Sequence, residues 1–329
     1  MVQFRKKWLE SNAWVMVRLF MSSDCMKTRL KLFLGMTAVL AAGALVANAQ
    51  NMHPRDVDAL PVSPVAITAA YGSDPLQTGD LRLPSGNGAF PVVIVIHGGC
   101  WTKGFATRMN TGPLASALTS HGYATWNIEY RQVGDEGAGW PGTFFDWGAA
   151  TDYLRVLAKT QPIKLDKVVV VGHSAGACFA LSLAARPKMP VSNSIRGANP
   201  LPIHAAVVFD GPPELAQFIG VDAEVCHKPV IAPLMGGTPD RQPDRYKEAD
   251  PARFTPLNVD QLMIKSAVLI QDDIDKYEAR VTPGDRIETL QIHKGGHFDI
   301  IAPGSAAWKD QVEGPLLEFL RKESPPVVR

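Results

Sequence analysis

The sequence predicts an α/β fold: a mostly parallel central sheet flanked by helices, with a small cap-like insertion. Three observations carry this. Apolar runs such as residues 92–97 and 167–171 are continuous rather than alternating, which suits strands buried on both faces. These runs alternate with stretches of helical pattern through most of the chain. One stretch, 211–256, breaks the rhythm: it is rich in Pro, Gly and charge, with only short apolar pieces.

In chain order, the first 49 residues read as a segment apart from the fold. Lys27, Arg29 and Lys31 precede an apolar run at 32–46 that is too short and too rich in Ala and Gly for a good membrane span. Ala47-Asn48-Ala49 then matches the small-x-small pattern at which secretory leaders are cut, and Met26 stands where such a leader would start. The expectation is that 1–49 are removed near Ala49, leaving a periplasmic or secreted chain from Gln50 with no stable membrane association. The competing reading is an uncleaved N-terminal membrane anchor. A Pro-rich entry at 53–64 leads into strands expected at 65–70, 92–97, 124–130, 167–171, 205–210, 267–271 and 288–293. Helices are expected at 113–121, 144–160, 174–185 and 277–281, with 307–321 closing the chain. Residues 50–329 read as one domain, with 211–256 as an excursion above the sheet.

Apolar residues make up 46% of the 329, enough to bury a large core. Lys and Arg number 33 against 32 Asp and Glu, and removal of the leader leaves acidic residues in slight excess. Without basic clusters, nucleic acid is not an expected partner. No CxxC or Cys/His cluster has zinc-ligand spacing, so no metal is expected, and the chain is separately read as needing no cofactor. Cys100, Cys178 and Cys226 follow the leader, and an exported chain permits one disulfide among them.

The chemistry concentrates at Val168-Val-Val-Val-Gly172-His173-Ser174-Ala175-Gly176. A serine hydroxyl is a poor nucleophile unless a base takes its proton. A sharp turn from strand to helix holds Ser174 up at the carboxyl edge of the sheet, and glycines on either side remove side chains that would collide. The N–H of Ala175 opens the helix and faces the place where an oxyanion would form. Upstream, the strand at 92–97 runs into His97-Gly98-Gly99-Cys100-Trp101. Its two glycines let the backbone approach a ligand, and the N–H groups of Gly99 and Cys100 would complete the oxyanion hole. His97 reads as structural. Trp101 is equally well a core residue or a wall of the acyl pocket.

The two motifs, in this order and on these elements, resemble the α/β-hydrolase family. With Gly295-Gly296-His297-Phe298-Asp299 near the end, they resemble its exported esterase/lipase branch, close to bifunctional feruloyl and acetyl-xylan esterases and kynurenine-formamidase-like enzymes. The likeness covers nearly all of 65–320. Two positions depart from the family pattern. Cys100 replaces the third glycine of HGGG, and Gln271-Asp272 stands where the strand before the acid commonly ends in His-Gly. The resemblance implies a triad in the order serine, acid, histidine. His297, in its Gly-Gly loop, is the expected general base, with His293 the alternative. Asp275, four residues after Gln271, matches the family's spacing from strand end to acid; Asp273 is held in reserve and Asp272 read as structural.

Other residues fill out the picture. Arg131 is expected to pair with Asp146. Trp140, in Gly139-Trp140-Pro141-Gly142, lines the pocket or serves structure. Cys100 and Cys226 both fall in loops expected above the sheet, which favours pairing them over helical Cys178. The expected activity is cleavage of short-acyl carboxylic esters, with a small-molecule ester as substrate, through an acyl-enzyme. The alternatives are amide cleavage by the same triad, as in an arylformamidase or peptidase, and a non-catalytic binding protein on this fold.

Overall fold

The computed structural model describes residues 51–281 and 285–326. The leader expected within 1–49 lies outside the described residues, and the chain from Asn51 onward forms one compact unit. Helix α1 (Pro54–Asp58) precedes an antiparallel pair, β1 (Ile67–Ala70) and β2 (Thr78–Arg82). Then come β3 (Phe90–Ile96), α2 (Gly112–Ser120), β4 (Ala124–Ile128), α3 (Gly142–Asp152) and α4 (Leu154–Leu157). The long strand β5 (Ile163–His173) turns directly into α5 (Ala175–Ala185), and β6 (Ala205–Phe209) follows. Three short helices, α6 (Val221–Val225), α7 (Ile231–Met235) and α8 (Pro243–Ala249), occupy the segment before β7 (Asp260–Lys265). The chain closes with α9 (Gln271–Glu278), β8 (Arg286–Gln291) and α10 (Glu313–Glu323).

The eight strands form one sheet in the order β1-β2-β4-β3-β5-β6-β7-β8. From β4 to β8 every pairing is parallel, and β2 runs against both its neighbours. Successive side chains of a strand point to opposite faces, so the continuous Val/Ile runs fill two separate core layers. Ile94, Ile96, Val168, Val170, Ala206 and Val208 join one layer with Phe179 of α5. Val93, Val95, Val169, Val171, Val207 and Ile264 join the other with Leu118 of α2 and Leu316 of α10. Helix α5 is buried at every position, lying between the sheet and the segment that follows β6. Strand β2 was not anticipated: Thr-Gly-Asp-Leu-Arg has neither an apolar run nor clean alternation.

One strand is displaced from its expected place. The run at 267–271 is not a strand; β7 lies at Asp260–Lys265, one apolar cluster earlier. The reason is where the backbone donors go. The N–H groups of Ser266, Ala267, Val268 and Leu269 all reach the Asp210 carboxylate, so they are unavailable to a neighbouring strand. Leu269 is apolar because it packs in the core, not because it belongs to the sheet.

Among the described residues, no helix is long and apolar enough to cross a membrane.

Candidate active site

Ser174 stands between β5 and α5 with φ 53° and ψ −120°, left-handed backbone that a residue with a side chain rarely adopts. The turn is fixed by contact as well as by torsion. A Cβ on Gly172 would lie 2.0 Å from the Gly176 carbonyl oxygen, and one on Gly176 would lie 2.5 Å from that of Ile96. The Ser174 N–H donates to the Phe209 carbonyl at the end of β6 (2.8 Å), which ties the elbow to the next strand. Gly98 of the loop after β3 lies against Ser174: a Cβ there would be 2.7 Å from its Cβ and 3.3 Å from its Oγ.

That loop has an unusual backbone. Gly99, Cys100 and Trp101 all have positive φ, at 101°, 54° and 50°. Its anchors are buried polar groups. His97 Nε2 meets Glu129 Oε1 and its Nδ1 meets the Gly98 carbonyl, both at 2.8 Å, while the Tyr130 hydroxyl donates to the His97 carbonyl (2.9 Å). Burial pushes the Glu129 carboxyl up, but His97 and the N–H groups of Arg108 and Tyr130 outweigh it and hold the group low. A disulfide joins Cys100 to Cys226 at the end of α6, with Cys178 left as a buried thiol in α5. The pairing of the two loop cysteines is as expected, and so is that of Arg131 with Asp146, which is bidentate.

His297 is half-buried in the loop after β8, and its Nδ1 meets Asp210 Oδ2 at 2.8 Å. Asp210, one residue past β6, is fully buried with φ 47°. Its two oxygens accept four successive backbone N–H groups, Ser266 to Leu269, and the Ser266 hydroxyl at 2.6 Å. Burial alone would raise this carboxyl. The bond to His297, the field of His297 and the Ser266 donors overcome that and hold it well below the usual carboxylate range. With Nδ1–H committed to a carboxylate, the lone pair of His297 is left on Nε2.

The expected acid, Asp275, is not brought to this place. Because β7 ends at Lys265, the three aspartates beyond it fall within α9, well past the sheet edge. Asp275 is exposed and accepts from Gln271 Nε2 (2.7 Å). Asp273 accepts the Ile270 N–H at the helix start, and Asp272 pairs with Lys276. Asp210 stands where Asp275 was expected. A signal for it was present: an aspartate, followed by glycine, ends the buried run Ala205-Ala-Val-Val-Phe209. His293 is exposed, and its N–H donates to Gln311. Trp101 is only 2% exposed and packs near Phe179, inside the core. Trp140 is half-buried against Phe144, with ring centroids 4.8 Å apart. Among the described residues, no group of three or more His, Cys, Asp or Glu is placed to hold a metal.

A family model described as BD-FAE matches residues 80–267, more than half of the chain. The chain belongs to the BD-FAE family. The matched stretch holds Ser174 and Asp210, while His297 lies beyond it. Solved structures share the α/β-hydrolase fold of this BD-FAE chain at low identity. A truncated carbohydrate esterase from gut microbiota is 21% identical with a TM-score of 0.64, over 80% of this chain and 96% of that one. Esterase B from Lactobacillus rhamnosis is 19% identical with a TM-score of 0.65, over 89% and 92%. Esterase 2 from Thermogutta terrifontis in its butyrate-bound form is 15% identical with a TM-score of 0.62, over 81% and 97%. No curated protein matches the chain by sequence.

Proposed function

We propose that this BD-FAE chain is a serine hydrolase of short-acyl carboxylic esters, with Ser174, His297 and Asp210 as its triad. The observation that carries the reading is the pairing of half-buried His297 with buried Asp210, on loops that adjoin the strained Ser174 elbow. In the first step His297 Nε2 takes the proton of Ser174 Oγ as that oxygen bonds to the ester carbonyl carbon. Asp210 stays ionised and stabilises the imidazolium. The N–H groups of Gly99, Cys100 and Ala175 serve as the oxyanion hole for the tetrahedral intermediate. Collapse breaks the bond to the alcohol oxygen, which leaves with the proton from His297. Water, deprotonated by His297, then attacks the acyl-enzyme and releases the carboxylic acid, restoring the serine hydroxyl.

Short acyl groups are favoured by the segment between β6 and β7, whose short helical pieces lack the bulk of a long lid. The butyrate bound in Thermogutta terrifontis esterase 2 supports the same choice. Export fits the Cys100–Cys226 disulfide, since such bonds persist in oxidising compartments.

A fluorophosphonate probe tests the mechanism. It should label Ser174 in the wild type and not in Ser174→Ala, and hydrolysis of p-nitrophenyl acetate should fall by several orders of magnitude in that variant. Full turnover by Ser174→Ala would contradict the proposal.

A further inference from the structure

We propose that His173, the residue between the elbow glycine and Ser174, is a positioning residue that sets the placement of His297 through a hydrogen bond to its main chain. The inference rests on the esterase reading above. His173 closes β5, is 1% exposed, and its Nε2 lies 3.0 Å from the His297 carbonyl oxygen. A carbonyl only accepts, so His173 donates from Nε2 and is held as that tautomer. Its ring lies against that of His297, centroids 4.5 Å apart and 36° between planes, and Phe298 meets both rings edge-on. The residue next to the nucleophile therefore grips the residue that carries the base. The loop after β8 is thereby tied at His297 to the elbow itself.

The grip requires a neutral ring. His173 Nδ1 is buried without a partner, so a second proton there would have no acceptor. The groups facing it are His297 from the loop after β8, Asp210 from the end of β6 and His97 from the end of β3. Burial, with the neighbouring His297, pushes the imidazole down to about 3. A cationic His173 would oppose the imidazolium that His297 forms in the reaction; the neutral donor does not.

The side-chain amide of Gln mimics Nε2 in reach, and that of Asn mimics Nδ1, so the two separate a specific bond from mere packing. kcat, KM and Tm should be measured for His173→Gln, His173→Asn and His173→Leu with a short-chain p-nitrophenyl ester. The Asn and Leu variants should lose about 10²-fold in kcat, the size of effect a misplaced catalytic group produces, with KM within about threefold of wild type. Gln should recover kcat to within about threefold. The acidic limb of the kcat/KM profile should have a one-proton slope in the wild type and in the Gln variant. If Leu does not fold, the comparison of Gln with Asn decides. Wild-type kcat in His173→Asn, or equal losses in Asn and Gln, would overturn the inference while Ser174 still takes the fluorophosphonate label. A two-proton limb that falls to one proton in His173→Gln would overturn the neutral state. Absence of label in the wild type would instead remove the esterase reading, and this inference with it.

Discussion

At the scale of single residues, Asp210 shows what sequence reading reached and what it missed. Ser174 and His297 were legible because each sits in a local motif whose glycines serve the turn around it. Asp210 carries only the weaker signal of an Asp-Gly pair ending an apolar run, and its place is made by donors that lie 56 to 59 residues later, in Ser266 to Leu269. Reading 267–271 as a strand hid those donors and placed the expected acid at Asp275. His173 gives a prediction at the same scale. Its folded value of about 3 lies below the ordinary 6.5, so the unfolded chain takes up a proton that the folded one refuses. Stability from this group is complete above pH 6.5 and is lost as pH falls from 6.5 towards 3, by up to about 1.4 kcal/mol per pH unit. Glu214, pushed up to about 7 by burial and Asp250, has the opposite sign, losing stability as pH rises from 4.5 to 7. It does so in wild type and variant alike. The difference in denaturation free energy between wild type and His173→Gln should therefore change between pH 6.5 and 4.5, with the wild type losing more; a constant difference would contradict a buried neutral His173.

At the scale of elements, the elbow and the loop after β3 depend on different supports. The elbow is a matter of close approach. Gly172→Ala would drive a methyl group into the Gly176 carbonyl, so chemical denaturation should show a loss of about 3 kcal/mol or failure to fold. Wild-type stability in that variant would mean the turn is looser than these contacts require. The loop after β3 is held by its buried polar anchors at His97 and by a long-range link, the disulfide that spans 126 residues to the end of α6. Cys226→Ser should lower stability by about 2–4 kcal/mol and reduce kcat, because the backbone donors proposed for the oxyanion lie beside Cys100. Unchanged kcat would separate the disulfide from the chemistry. The parallel core strands were legible because burial on both faces leaves an unbroken apolar run. β2 and β7 were not, because one is polar and the other lies beside a second apolar run with a different task.

At the scale of the whole molecule, the sheet collects three groups that are far apart in sequence. β5 ends one residue before Ser174, the proposed nucleophile; the residue after β6 is Asp210, and the loop after β8 carries His297. In the proposed triad the order is serine, acid, histidine, with the acid one strand earlier than expected. The segment between β6 and β7 predicts a substrate range: acetyl and butyryl esters should turn over faster than palmitoyl esters, and the reverse ranking would contradict it. The most direct test of the triad is kcat for Asp210→Asn beside Asp275→Asn, with folding checked by circular dichroism. Asp210→Asn should lose on the order of 10⁴-fold, the loss seen when a triad aspartate becomes an amide, while Asp275→Asn stays near wild type. A large loss in Asp275→Asn with near-normal turnover in Asp210→Asn would contradict the assignment of Asp210.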